Sequence, residues 1–170
     1  MRYKLPILLC SAILLGLALD AAGALRVLAD DLQGQTRQDF INALVPTTRG
    51  LSVSSGTPHK DMRIQFEFGS AELTDSAKAV LNELGAALQS DQLSEFEFSL
   101  VGHTDGVGSE SFNLDLSKAR AQAVKQYLTS KFNINADRLQ SDGVGKSDLA
   151  DPNDPSSALN RRVVITNLGS

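Results

Sequence analysis

From Arg63 onward the apolar residues switch between two spacings, and this switching limits the possible folds more than any other feature of the sequence. Period two puts successive side chains on opposite faces of a strand, whereas steps of three and four gather them on one side of a helix. Residues 63–68 (RIQFEF) alternate and turn Ile64, Phe66 and Phe68 toward a core, and residues 95–103 (EFEFSLVGH) do the same with Phe96, Phe98 and Leu100. Between them Thr74 is placed to cap a helix whose Ala77, Val80, Leu81, Leu84 and Leu88 form one apolar stripe. A second helix is predicted over 114–132, and two further short strands over 138–141 and 162–166. Strands alternating with helices specify a two-layer α/β sandwich. The order of the strands is not written in these local patterns.

The first residues read differently. Arg2 and Lys4 precede the apolar run LPILLCSAILLGLAL, which ends at Asp20 and is followed by Ala22-Gly23-Ala24. The run is shorter than the roughly 20 residues of a spanning helix, and the pattern is that of a secretory leader cleaved after Ala24. An uncleaved run would make the same segment a membrane anchor. Cleavage would also remove Cys10, the only cysteine among 170 residues, leaving no disulfide and no catalytic thiol. Residues 36–45 form a short amphipathic helix with Phe40, Ile41, Leu44 and Val45 on one side, stopped by Pro46. The Ser-, Thr-, Gly- and Pro-rich residues 47–61 read as a flexible tether. The expected organisation is a leader over 1–24, a segment with helix and linker over 25–61, and one domain over 62–168. With 16 basic against 20 acidic residues and a net charge of −4, the chain lacks the basic footprint of a nucleic-acid binder.

One charge is out of place. At about 100° per residue, Arg120 falls about 40° from Val124, inside the arc made by Ala121, Leu128 and Phe132 on one flank and Leu116, Ala123 and Tyr127 on the other. A guanidinium on a buried face calls for an anion. Asp105 stands at the end of the strand that leads into this helix, so the spacing allows a structural ion pair or a binding site. Thr104, Ser111 and Asn113 crowd the same turn, next to the free N–H groups of the helix N-terminus. Together they suit a ligand that carries both an ammonium, for Asp105, and a carboxylate, for Arg120. Asp-Gly-Val-Gly occurs at 105–108 and again at 142–145, and both copies read as glycine-permitted turns. A dinucleotide fingerprint fails, since Ser111 stands where its third glycine would be.

The run Gly102-His103-Thr104-Asp105, then Gly108, Asn113, Leu116-Ser117 and Arg120-Ala121, resembles the signature of OmpA-like peptidoglycan-binding domains, with matching spacing throughout. Phe66-x-Phe68-x-Ser70-x-x-Leu73, Gly143-x-Gly145 and Asn160-Arg161-Arg162-Val163 resemble the family's opening, late glycine turn and closing motif, so the likeness runs over 62–168. Gly69 departs from the pattern, where many members carry aspartate. The resemblance implies a β-α-β-α-β-β fold with a small mixed sheet and two main helices. It also implies non-covalent binding of peptidoglycan, without a cofactor or metal, in the periplasm or at the outer membrane. It assigns Asp105 and Arg120 to the diaminopimelate of the stem peptide, helped by Asn113, with Thr104 and Leu116 in the same motif. Of the closing arginines, motif position favours Arg162, and Arg161 is the alternative. Residues 25–61 are then a candidate contact for outer-membrane or other envelope proteins.

Two other readings stay open at this level. His103 and Asp105, two apart at a strand end, resemble a pair of metal ligands in a cell-wall hydrolase, although His59 is the only other histidine. A retained N-terminal anchor would instead make the chain a tether between membrane and wall.

Overall fold

The computed structural model describes residues 35–46, 57–64, 66 and 69–170. The expected leader over 1–24, residues 47–56 of the expected tether, and Phe68 lie outside the described residues. The elements are α1 (Arg37–Leu44), β1 (His59–Met62), α2 (Asp75–Leu88), β2 (Glu97–His103), α3 (Glu110–Phe132), β3 (Leu139–Gly145) and β4 (Val163–Gly169), with short 3-10 turns at Ala136–Arg138 and Ala158–Asn160.

Four strands form one mixed sheet in the order β1-β4-β2-β3. β2 and β3 run parallel, which requires the chain to cross over between them, and α3 is that crossover. β4 inserts antiparallel to both β1 and β2, bringing Val163 opposite Met62 on one side and Gly102 on the other. Phe98, Leu100, Val163 and Ile165 of the sheet and Leu81, Leu84, Val124 and Leu128 of the helices are fully buried in one core. The α/β sandwich anticipated from the alternating spacings is therefore the observed fold.

The helices follow their sequence signals closely. Thr74 caps α2 by accepting from the Ala77 N–H, and every residue of the predicted stripe is buried. α3 begins at Glu110, earlier than its apolar periodicity shows, because its first turn is polar and is capped by the Ser109 side chain. α1 carries a reciprocal cap, with Thr36 and Asp39 each bonding the other's backbone N–H. A helix of eight residues is marginal alone, and this one is held by packing. Phe40 and Leu44 are fully buried in the common core, each contributing about 1.5–3 kcal/mol. Asn167 of β4 donates to the Leu44 carbonyl at 2.8 Å. The apolar face of α1 is thus occupied by the chain's own domain.

The opening strand differs from expectation. The described paired segment is His59–Met62, so residues read as the end of the tether form a sheet edge, while 65, 67 and 68 of the expected strand lie outside the described residues. An edge strand needs few buried residues and tolerates charge, and only Met62 of HKDM is buried. Arg63 leaves the ladder, its N–H donating to the Gln35 side chain at 3.1 Å. Ile64 is buried and Phe66 packs half-buried against the core, but Phe66 makes only an isolated bridge, to Leu73.

The second Asp-Gly-Val-Gly is not a turn. It lies within β3, where a Cβ on Gly143 would collide with Ser117 and the Lys118 backbone, and one on Gly102 of β2 would strike the Ser117 carbonyl. These two glycines let α3 lie close on the strands. The fully buried Ser117 fixes the contact, its hydroxyl accepting from the Gly145 N–H at 2.9 Å and donating to the Leu114 carbonyl at 2.8 Å. That contact sets where the first turns of α3 stand relative to the end of β2.

Candidate ligand-binding site

β2 ends at His103, and the Thr104 N–H still reaches across to the Gly145 carbonyl at 2.9 Å. Asp105 then starts a tight loop. One oxygen, Oδ1, accepts from the Val107 N–H at 3.2 Å, an Asx-type turn that fixes the carboxylate at the strand end. Asn113 of α3 is buried and donates from Nδ2 to the Val107 carbonyl at 2.8 Å, and Lys146 donates to the Gly108 carbonyl at 2.9 Å. Gly108 itself adopts φ +92°, a left-handed value that suits glycine. The Gly106 N–H donates to Pro155 on the neighbouring loop at 2.7 Å. That loop is organised by the fully buried Asn160, whose Nδ2 donates to the carbonyls of Asp154 and Pro155 at 3.0 and 3.2 Å. Asn160 of the closing motif therefore holds the backbone and presents Arg161.

Arg120 is buried, as its place on the helix wheel required. Its guanidinium lies 4.8 Å from the ring centre of Phe66, and Nε donates to the Ser70 carbonyl at 3.0 Å. Stacking on an aromatic face is a favourable setting for a planar cation. Among the described residues no carboxylate forms an ion pair with it. Burial pushes the Arg120 pKa below its ordinary value, the charge of Arg161 pushes the same way, and Asp105 opposes both. All three groups therefore act on one another, but Asp105 pairs elsewhere. Its Oδ2 accepts from Arg161 Nη1 at 3.0 Å, with the Arg161 side chain 45% exposed and that of Asp105 21%. Among the described residues, Arg120, Arg161 and the Lys146 ammonium thus stand around the one carboxylate of Asp105.

Thr104 sits at the base of the same loop with its side chain buried, and its hydroxyl has no hydrogen-bond partner among the described residues. A buried hydroxyl without a partner is unfavourable by about 1–3 kcal/mol, so it marks a place where a polar group is wanted. Leu116 is half-buried on the flank of α3 assigned by the wheel, and it adds no polar atom to the site. The structure thus gathers Thr104, Asp105, Asn113, Arg120 and Arg161.

Arg162 does not join them. Its side chain is buried in a separate cluster, with Nη2 donating to Asp148 Oδ2 at 3.3 Å and Nε 3.6 Å from Asp61 Oδ2. His103 belongs to that cluster too, its Nδ1 3.1 Å from the Asp148 carbonyl oxygen and 3.6 Å from Asp148 Oδ2. Burial, then the charge of Arg162, hold the His103 pKa below its ordinary value, against the raising effects of Asp148 and Asp61. Its pairing is with Asp148 rather than Asp105, and no group of three or more His, Cys, Asp or Glu among the described residues is placed to hold a metal.

One part of the site and one feature near it in the chain escaped the sequence patterns. Phe66 carries a core signal, yet it is also the ring under Arg120. Val107, Phe112 and Leu159 are exposed although large and apolar, and they flank Asp105, Asn113 and Arg161 in the chain. Their only local hint is that they are apolar residues outside any periodic stripe.

Comparison with known proteins places this arrangement. The chain is 31% identical over 108 residues to outer membrane protein P5 of Haemophilus influenzae, an alignment covering 64% of this chain and 30% of P5. The chain thus spans about a third of the length of that relative. Its fold resembles that of a MotB-like protein from Desulfovibrio vulgaris, with a TM-score of 0.61 at 24% identity, covering 85% of this chain and 96% of the other. It also resembles the peptidoglycan-associated lipoprotein of Burkholderia pseudomallei, with a TM-score of 0.53 at 24% identity, covering 71% and 97%. Residues 65–162, more than half of the chain and including every residue of the site, match the OmpA family, and the chain belongs to that family.

Proposed function

We propose that this chain binds peptidoglycan non-covalently in the cell envelope, on the periplasmic side of the outer membrane, through the zwitterionic end of the stem peptide's diaminopimelate. The observation that carries the reading is Arg120, a buried guanidinium stacked on Phe66 with no carboxylate paired to it among the described residues, close enough to Asp105 to feel its charge. A ligand carboxylate completes Arg120, and the accompanying ammonium goes to Asp105. Thr104 offers a hydroxyl that has no partner among the described residues, and Asn113 holds the loop in place. The name of the Burkholderia lipoprotein states such an association for that protein. The activity is binding, with no chemical step.

Each charge-assisted hydrogen bond contributes roughly 1.5–3 kcal/mol, so a single site binds modestly. A polymer carrying many stem peptides raises the effective affinity through rebinding. The test is sedimentation of the purified protein with isolated sacculi. Wild type is expected in the pellet and both Asp105→Ala and Arg120→Ala in the supernatant. Sedimentation of both variants at the wild-type level would sink the proposal.

A further inference from the structure

The ion pair between Asp105 and Arg161 bears directly on what the site accepts. Asp105 is the group that an incoming ammonium needs, yet its Oδ2 is already engaged by Arg161 Nη1 at 3.0 Å. The other oxygen serves the loop backbone through Val107. Arg161 is nearly half exposed and carries no other ion pair among the described residues, so it is free to leave. Arg162, one residue along, is buried against two carboxylates and is not.

We propose that Arg161 makes this site selective for zwitterions over simple cations, acting as an internal counter-ion that any incoming ammonium must displace from Asp105. This rests on the peptidoglycan reading and adds the rule by which the site chooses. A bare cation that takes Asp105 leaves Arg161 and Arg120 close together with no anion between them. The charge of Arg161 already pushes the Arg120 pKa down. A ligand that brings its own carboxylate supplies that anion in the same step, and the displaced guanidinium gains a new partner. The site therefore rejects polyamines and lysine side chains by competition, without a steric barrier. A repulsive element used against the wrong partner is a common source of specificity.

The two probes are meso-diaminopimelate and cadaverine, the same diamine without its two carboxylates, each titrated into purified protein and followed by NMR shifts. An exposed ion pair is a weak competitor, so Arg161→Gln should bind cadaverine roughly two- to fivefold more tightly than wild type. Arg161→Lys, which keeps the charge, should stay near wild type. The preference of wild type for meso-diaminopimelate over cadaverine should narrow in Arg161→Gln. No gain with cadaverine in Arg161→Gln, or an equal gain in Arg161→Lys, would overturn the proposal. Failure of wild type to bind meso-diaminopimelate would count against the stem-peptide reading, and the cadaverine comparison would still decide the role of Arg161. Since Arg161 is exposed, loss of fold is not expected, and an unchanged amide spectrum checks that.

Discussion

Arg161 and Arg162 are neighbours in the chain and live in opposite electrostatic settings. Arg162 is buried between Asp148 and Asp61, with His103 beside it, and its charge is met by two carboxylates of its own. Arg161 holds the carboxylate of Asp105, and Arg120 near them has no carboxylate paired to it among the described residues. The first cluster ties the start of β4 to the edge strand β1 and to the loop after β3. The second joins the end of β2 to α3 and leaves Arg120 without a paired carboxylate among the described residues. A buried cation with carboxylates of its own holds a fold, whereas one without, beside an exposed and movable ion pair, is suited to a ligand. Successive side chains of an extended chain point to opposite sides, so two adjacent arginines can serve both ends.

The strongest way to break this contrast is to exchange the consequences. Arg120→Met should abolish sedimentation with sacculi while changing unfolding free energy by no more than about 1 kcal/mol, because replacing a buried charge by an apolar side chain of similar size is often neutral. Chemical denaturation alongside the pull-down checks both halves. A large loss of stability would make Arg120 a structural residue instead. Arg162→Ala should do the reverse, lowering stability by about 1–3 kcal/mol through lost packing and unpaired polar groups while the folded fraction still sediments. The effect stays moderate because Asp148 and Asp61 are more than half exposed and regain water.

A smaller effect follows from His103. Its pKa is depressed in the folded chain, so the unfolded chain binds the proton more readily, and the neutral imidazole stabilises the fold above about pH 6.5. As pH falls below that value toward the folded-state pKa, stability is lost. Denaturation midpoints measured between pH 7.5 and 5.5 should decline, and His103→Gln should flatten that decline. The same slope in both proteins would assign the pH dependence to other groups.

Much of this organisation was readable from spacing. The α2 stripe, the Thr74 cap, the amphipathic α1 and the burial of Arg120 each depend on residues a few positions apart, where periodicity carries the signal. Strand β1 was not readable, because an edge strand with one buried side chain has the composition of a linker. The role of Gly143 was hidden for another reason. Its need to be small comes from Ser117, 26 positions away, whereas a glycine beside aspartate reads locally as a turn. The partner of Asp105 was equally non-local, since spacing put Arg120 and Asp105 in one neighbourhood but gave no sign that Arg161, 56 residues on, holds the carboxylate. The choice between the closing arginines likewise depends on the turn at Ala158–Asn160 and the side to which it delivers each one.

The central claim is that the ligand enters the cluster around Arg120 and Arg161 and leaves the one around Arg162 untouched. Titrating the isotope-labelled protein with meso-diaminopimelate, and reading both backbone amides and arginine side-chain signals, tests it directly. Shifts should concentrate at Thr104 to Asn113, Arg120 and Arg161, with Arg162, Asp148 and His103 unmoved. Shifts centred on Arg162 and Asp148, or none at Arg120, would contradict the account.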